Sequence, residues 1–181
     1  MARIQPVNPN TADSATAELL GSVKKKLGSV PNLIATMANS PAVATAYLGF
    51  SQALATGTLP ARLREQIALV VAETNGCDYC LAAHTALGKG AGLTEQETCD
   101  ARRAHSHDQQ ERAALDFARK VVQDRGVVAD RDVELVRQAG YTDGEVGEIV
   151  ANVVLNIFTN YFNHVAGTEV DFPAAPSLCA A

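Results

Sequence analysis

Apolar positions recur at three- and four-residue spacing along nearly the whole chain, the period of an amphipathic helix, and no stretch alternates convincingly as a strand would. Start and stop signals divide the pattern into roughly nine helices. The first is predicted over 13–27, stopped by Gly28, and a short one opens at Pro31 and fades near Asn39. Ser40 and Pro41 read as N-cap and first-turn residue of a helix running to about 55, ended by Gly57. Leu63, Ile67, Val70 and Val71 give a helix over about 60–74 with a wide apolar face, and Asn75-Gly76 supplies the left-handed residues that end helices. The next must start at about Cys77 and run to about Gly88. Thr94-x-x-Glu97, Asp108-x-x-Glu111 and Thr142-x-x-Glu145 read as capping boxes, the last opening a long helix to about His164. Gly126 and Gly140 bracket another short one. The expectation is an all-α, single-domain helical bundle: a lead-in over 1–12, a helical body over 13–172 and a mobile tail over 173–181.

Composition narrows the function. The chain has 181 residues, 47% of them hydrophobic, which suits one domain with its own core. A net charge of -5 repels phosphate backbones and anionic lipid, and 5% aromatic residues with no Trp leave no stacking platform, so no nucleic-acid partner is expected. The longest apolar runs, 67–72 and the Asn-interrupted 149–158, fall short of the roughly 20 residues of a membrane-spanning helix, so no membrane partner is expected either. The first ten residues carry no export-type apolar run, and a cytoplasmic location is expected. Four cysteines are then too few for a disulfide scaffold; they are free, metal-bound or redox-active thiols.

The chemistry concentrates in EQIALVVAETNGCDYCLAAH, residues 65–84. Cys77 and Cys80 fall in the first turn of a helix, where unpaired N–H groups and the helix dipole favour a thiolate. His84 follows Cys80 by four residues and shares its helix face. Glu65, twelve residues before Cys77, can fold back beside the thiol helix across the Asn-Gly break. Together they supply a nucleophile, a resolving thiol and two proton carriers. Other readings stay open at this point. Cys77, Cys80 and His84 could be three zinc ligands with Cys99, His105 or His107 as the fourth, His84 could be an ordinary helix-face histidine, and Glu65 could pair with Arg62 or Arg64. Thioredoxin-like use of the CxxC expects a βαβ pattern that the chain lacks.

The combination of Glu65, eleven residues, Cys77-Asp78-Tyr79-Cys80, three residues and His84 resembles the carboxymuconolactone decarboxylase superfamily in its alkylhydroperoxidase AhpD-like branch. VPNLIATMANSPAV, LREQIALVVAETNGCDYCLAAHTALGK and NIFTNYFNHVAGTEVDFP extend the resemblance to its peroxidase-related members, over about 29–173. The resemblance implies an all-helical fold in trimers or hexamers and cofactor-free, thiol-dependent reduction of hydroperoxides. Carried over by position, Cys80 attacks, Cys77 resolves, Glu65 and His84 relay protons, and an external dithiol restores the thiols. Tyr79 stands where AhpD itself has a histidine, so relay details and donor need not transfer. Decarboxylase members lack the Cys pair. The alternatives are a disulfide-reductase adaptor to a peroxiredoxin, a decarboxylase-like acid/base enzyme using Glu65 and His84, and a zinc-stabilised helical binding module.

Outside the motif, Cys99 reads as a packing residue, Cys179 as incidental, His105 and His107 as solvated loop histidines, and Lys24, Lys25 and Lys26 as a solvated face. Asn152, Asn156 and Asn160 recur at four-residue spacing in the apolar last helix and continue to Asn163 and His164. Asn is costly to bury unpaired, so this stripe predicts partners across a subunit interface or a pocket wall near the thiols, the alternative being a solvent-facing edge. The last helix, apolar around most of its circumference, predicts an obligate homo-oligomer.

Overall fold

The computed structural model describes residues 2–178; Cys179 lies outside the described residues. Local capping sets most helix starts. Asp13 accepts the Thr16 amide at 2.9 Å to open α1 (Ser14–Leu27), and α2 (Asn32–Met37) follows a Pro at its N-cap. Ser40 occupies the N-cap of α3 (Pro41–Ala55) without a side-chain capping bond, Pro41 supplying the helical φ instead. After α4 (Ala61–Asn75) and α5 (Asp78–Gly90), reciprocal Thr–Glu boxes open α6 (Glu95–Arg102) and α9 (Asp143–Ala166). Asp108 caps α7 (Gln109–Gln123) from one side only. Its expected box partner Glu111 is drawn away by stronger donors, accepting instead from Arg62 Nε, Gln66 Nε2 and Ser106 Oγ. With α8 (Asp130–Gln138) this makes nine helices and no strand among the described residues.

The fold is organised around α4, which packs against α5, α6, α7 and α9. Ile67, Leu69, Val70, Val71 and Ala72 are fully buried. Neighbours on every side explain why this run is continuously apolar rather than striped. Truncating Leu69 to Ala would leave a cavity worth about 2–5 kcal/mol. The loop before α4 is pinned by Glu148 of α9, whose carboxylate accepts from Thr58 N and Oγ1 and from Leu59 N. A Cβ at Gly57 would run into that carboxylate and displace it.

The first and last described segments lie along the body. Arg3 and Ile4 donate their amides to the Ala166 carbonyl, Phe172 meets Tyr79 edge-on with centroids 5.8 Å apart, and Arg102 donates to the Pro176 carbonyl at 2.6 Å. No helix among the described residues is long and apolar enough to cross a membrane. The outward side of α9 carries an apolar stripe, Val154, Phe158, Tyr161 and Val165, each 40% exposed or more.

Candidate active site

The break between α4 and α5 builds the site. Gly76, at φ 66°, ends α4 in the left-handed region. The chain enters α5 directly, with Cys77 as extended N-cap. The Cys77 sulfur accepts the Cys80 amide at 3.3 Å, a thiol standing where helices usually place a hydroxyl or carboxylate. Both cysteines are buried, at 1% and 2% exposure.

α9 closes the site from the other side. Asn163 Nδ2 donates to Cys80 Sγ at 3.2 Å and lies 4.0 Å from Cys77 Sγ, while Asn160 Oδ1 accepts Asn75 Nδ2 at 2.9 Å. These contacts make the two thiols unequal. Cys80 is held below the ordinary thiol range, first by a hydrogen bond from Cys77, against the effect of burial, and then by Asn163, Asn160 and Thr159. Cys77 is pushed well above that range by the bond it gives Cys80 and by burial. The arrangement makes Cys80 the more acidic thiol of the pair.

One turn after Cys80, His84 Nδ1 lies 2.8 Å from Glu65 Oε2. Glu65 does not pair with Arg62, which binds Glu97 and Glu111, nor with Arg64, which donates to the Leu59 carbonyl. The imidazole and carboxylate are 20% and 23% exposed, so this pair reaches solvent while the sulfurs do not. Among the described residues no hydrogen bond joins His84 to a sulfur. A proton passing between them must use substrate or water.

The other singled-out residues separate into two groups. The Tyr79 hydroxyl accepts the Leu33 amide at 3.1 Å, and burial pushes its phenol pKa up. Asn152 and Asn156 are buried within the chain and donate to the Glu148 and Asn152 carbonyls of their own helix, both at 2.8 Å. His164 is exposed, with Nε2 3.2 Å from the Gly76 carbonyl. Asn160 and Asn163 alone of the stripe border the thiols. Cys99 is half-buried. His105 and His107 stack edge-on at 5.4 Å in the α6–α7 connection. No group of three or more His, Cys, Asp or Glu among the described residues is arranged to hold a metal ion, so the zinc ligand set is not assembled.

Sequence reasoning missed Tyr47. This α3 residue has its phenol pushed up to about 12 by burial and then by the charges of Cys80 and Glu65, which places it beside both halves of the site. Nothing in its neighbourhood in the sequence marks it, since the contact is long-range.

The chain matches known proteins in the same terms. Residues 41–124 match the carboxymuconolactone decarboxylase family. An alkyl hydroperoxide reductase of Mycobacterium tuberculosis is 30% identical over 93 residues, 51% of this chain; the chain spans only 27% of that relative's length. The crystal structure of an AhpD-core, peroxidase-related protein from Ralstonia eutropha JMP134 superposes with TM-score 0.85 at 25% identity, covering 94% of this chain and 92% of that one. The debrominase Bmp8, crystallised with 2,3,4-tribromopyrrole, shares the fold at TM-score 0.79 and 21% identity, over 93% and 91% of the two chains. Residues 41–124 thus match the carboxymuconolactone decarboxylase family, within an all-helical fold like that of the AhpD-core protein.

Proposed function

We propose that this protein reduces hydroperoxides with the Cys77–Cys80 pair. The observation that carries the reading is the Cys80 sulfur at the start of α5, held as the more acidic thiol by Cys77 and by the Asn163 amide at 3.2 Å. The thiolate attacks the terminal oxygen of R–O–O–H; the S–O bond forms as the O–O bond breaks, leaving Cys80 as sulfenic acid and RO⁻, which takes a proton from the His84–Glu65 pair. Cys77 then attacks the Cys80 sulfur, a disulfide forms, and the sulfenic oxygen leaves as water. An external dithiol reduces the disulfide, without metal or cofactor. That donor fits a reducing, cytoplasmic setting.

Burial of both sulfurs supports a small oxidant over disulfide exchange with a peroxiredoxin. The exposed α9 stripe supports a homo-oligomer, trimer or hexamer by family likeness. Hydroperoxide added to reduced protein, followed by mass-spectrometric disulfide mapping, tests the reading. A Cys77–Cys80 bond formed with consumption of peroxide supports it. An unreacted pair, or a bond to Cys99 or Cys179, overturns it.

A further inference from the structure

Five buried side-chain polar atoms among the described residues have no hydrogen-bond partner, and two of them belong to the residues around one sulfur. Asn163 donates its Nδ2 to Cys80 and leaves Oδ1 unpaired; Asn160 accepts the Asn75 amide at Oδ1 and leaves Nδ2 unpaired. Both residues are at most 4% exposed. A buried amide atom without a partner is unfavourable, and a partner that arrives during catalysis is one reason such an atom is kept. Here one is an acceptor and the other a donor, one turn apart on α9, and Asn163 Nδ2 at 3.2 Å favours the Cys80 anion. A sulfenic acid offers the matching pair, an O–H donor and an oxygen acceptor.

We propose that Asn160 and Asn163 form an amide cradle for the Cys80 sulfur, holding it as an anion before reaction and receiving the sulfenic oxygen and its proton afterwards. Asn160 Nδ2 donates to the new oxygen and Asn163 Oδ1 accepts its proton. The oxygen is thereby kept on Cys80 until Cys77 attacks the sulfur. The oxygen-holding half rests on the peroxidase reading; the anion-holding half does not. The ionisable groups facing Cys80 are Cys77 and Tyr79 on α5 and Tyr47 on α3, with Glu65 on α4 facing Tyr47 and paired with His84. Asn160 and Asn163 are positioning residues in this scheme.

The thiolate's ultraviolet absorbance, titrated in reduced protein and taken as wild type minus Cys80→Ser, reads the first half without any peroxide. Asn163→Asp should raise the Cys80 midpoint by about one pH unit or more, a roughly tenfold loss of thiolate near neutral pH; Asn160→Ala should move it the same way by less. Circular dichroism verifies that each variant is folded, and an unmoved midpoint in a folded Asn160→Ala protein overturns the anion-holding half, whether or not Asn163→Asp folds. For the second half, Cys77→Ser protein is treated with hydrogen peroxide and the sulfenic acid trapped with dimedone over time. Adding Asn160→Ala should shorten its lifetime several-fold, and an equal lifetime overturns the oxygen-holding half. Absence of any sulfenic acid in Cys77→Ser overturns the peroxidase reading and this half with it, while the titration still decides the first.

Discussion

Glu65 Oε2 and His84 Nδ1 lie 2.8 Å apart across the α4–α5 turn. In the proposed relay the ionised carboxylate accepts the Nδ1 proton, fixes the ring's orientation and leaves Nε2 to exchange protons with the site. His84→Ala should slow peroxide consumption on the order of 10²-fold to 10⁴-fold. Glu65→Gln should slow it less, since the amide oxygen still accepts from Nδ1. Because both side chains are partly exposed, melting temperature should barely move in either variant. Wild-type rates in both variants across neutral pH would remove the pair from the mechanism.

The two cysteines should fail differently. Cys80→Ser removes the more acidic thiol, the proposed nucleophile, and should abolish peroxide consumption. Cys77→Ser keeps it and should allow one equivalent of peroxide to react before stalling at the sulfenic acid or over-oxidising. Sustained turnover in Cys80→Ser would reverse the roles, or reveal an acid/base activity of Glu65 and His84 that needs no thiol.

Glu148 should tie stability to pH. Hydrogen bonds from the Thr58 amide, then from Leu59 N and Thr58 Oγ1, hold its carboxyl below the ordinary glutamate range against the opposing effect of burial. With the folded value depressed, the stabilisation is complete above the unfolded pKa and lost as pH falls through the folded one. Glu148→Gln should cost about 1 kcal/mol near neutral pH and progressively less in acid, read from urea melts. Gly57→Ala displaces the same carboxylate and should be non-additive with Glu148→Gln. Additive losses would mean that the two positions act separately.

Assembly should depend on the outward face of α9. Val154→Asp with Val165→Asp places charges on residues 48% and 63% exposed in the single chain. The double variant should therefore fold yet show a smaller mass by light scattering than wild type. A wild-type monomer at micromolar concentration would end the oligomer proposal. Asn156 is a poor probe of assembly: it is 6% exposed and bonded within its own helix, so Asn156→Asp would strike the fold itself.

Local signals made most of the helices legible. The boxes at Thr94 and Thr142 close as their spacing predicts, and Gly28 and Gly76 end helices in the left-handed region. Where spacing misled, at Asp108 and Glu111, the cause was tertiary: charged and amide donors from α4 outcompeted a local backbone N–H. The Glu65, Cys77, Cys80 and His84 spacing was readable because two consecutive helices and one turn carry it. Asn163 reaches Cys80 across 83 residues and Tyr47 comes from α3, so their placement beside the sulfur depends on how helices pack, which no local period encodes. The stripe 152, 156, 160 named the right helix. It could not distinguish the asparagines that face the sulfur from those bonded to their own backbone.

Cys77 is the N-cap of its helix and, in the proposed reaction, one half of the redox pair. In the reduced state a ring of atoms runs from its sulfur through the Cys80 amide and back along the chain. Closing a disulfide between the same two residues would trade that hydrogen bond for a covalent brace over the same first turn. The helix would then have a fastener in either oxidation state, with different fasteners doing the same job. Catalytic cycling therefore need not fray α5, and amide exchange at Leu81 and Ala82 should stay equally slow in reduced and oxidised protein.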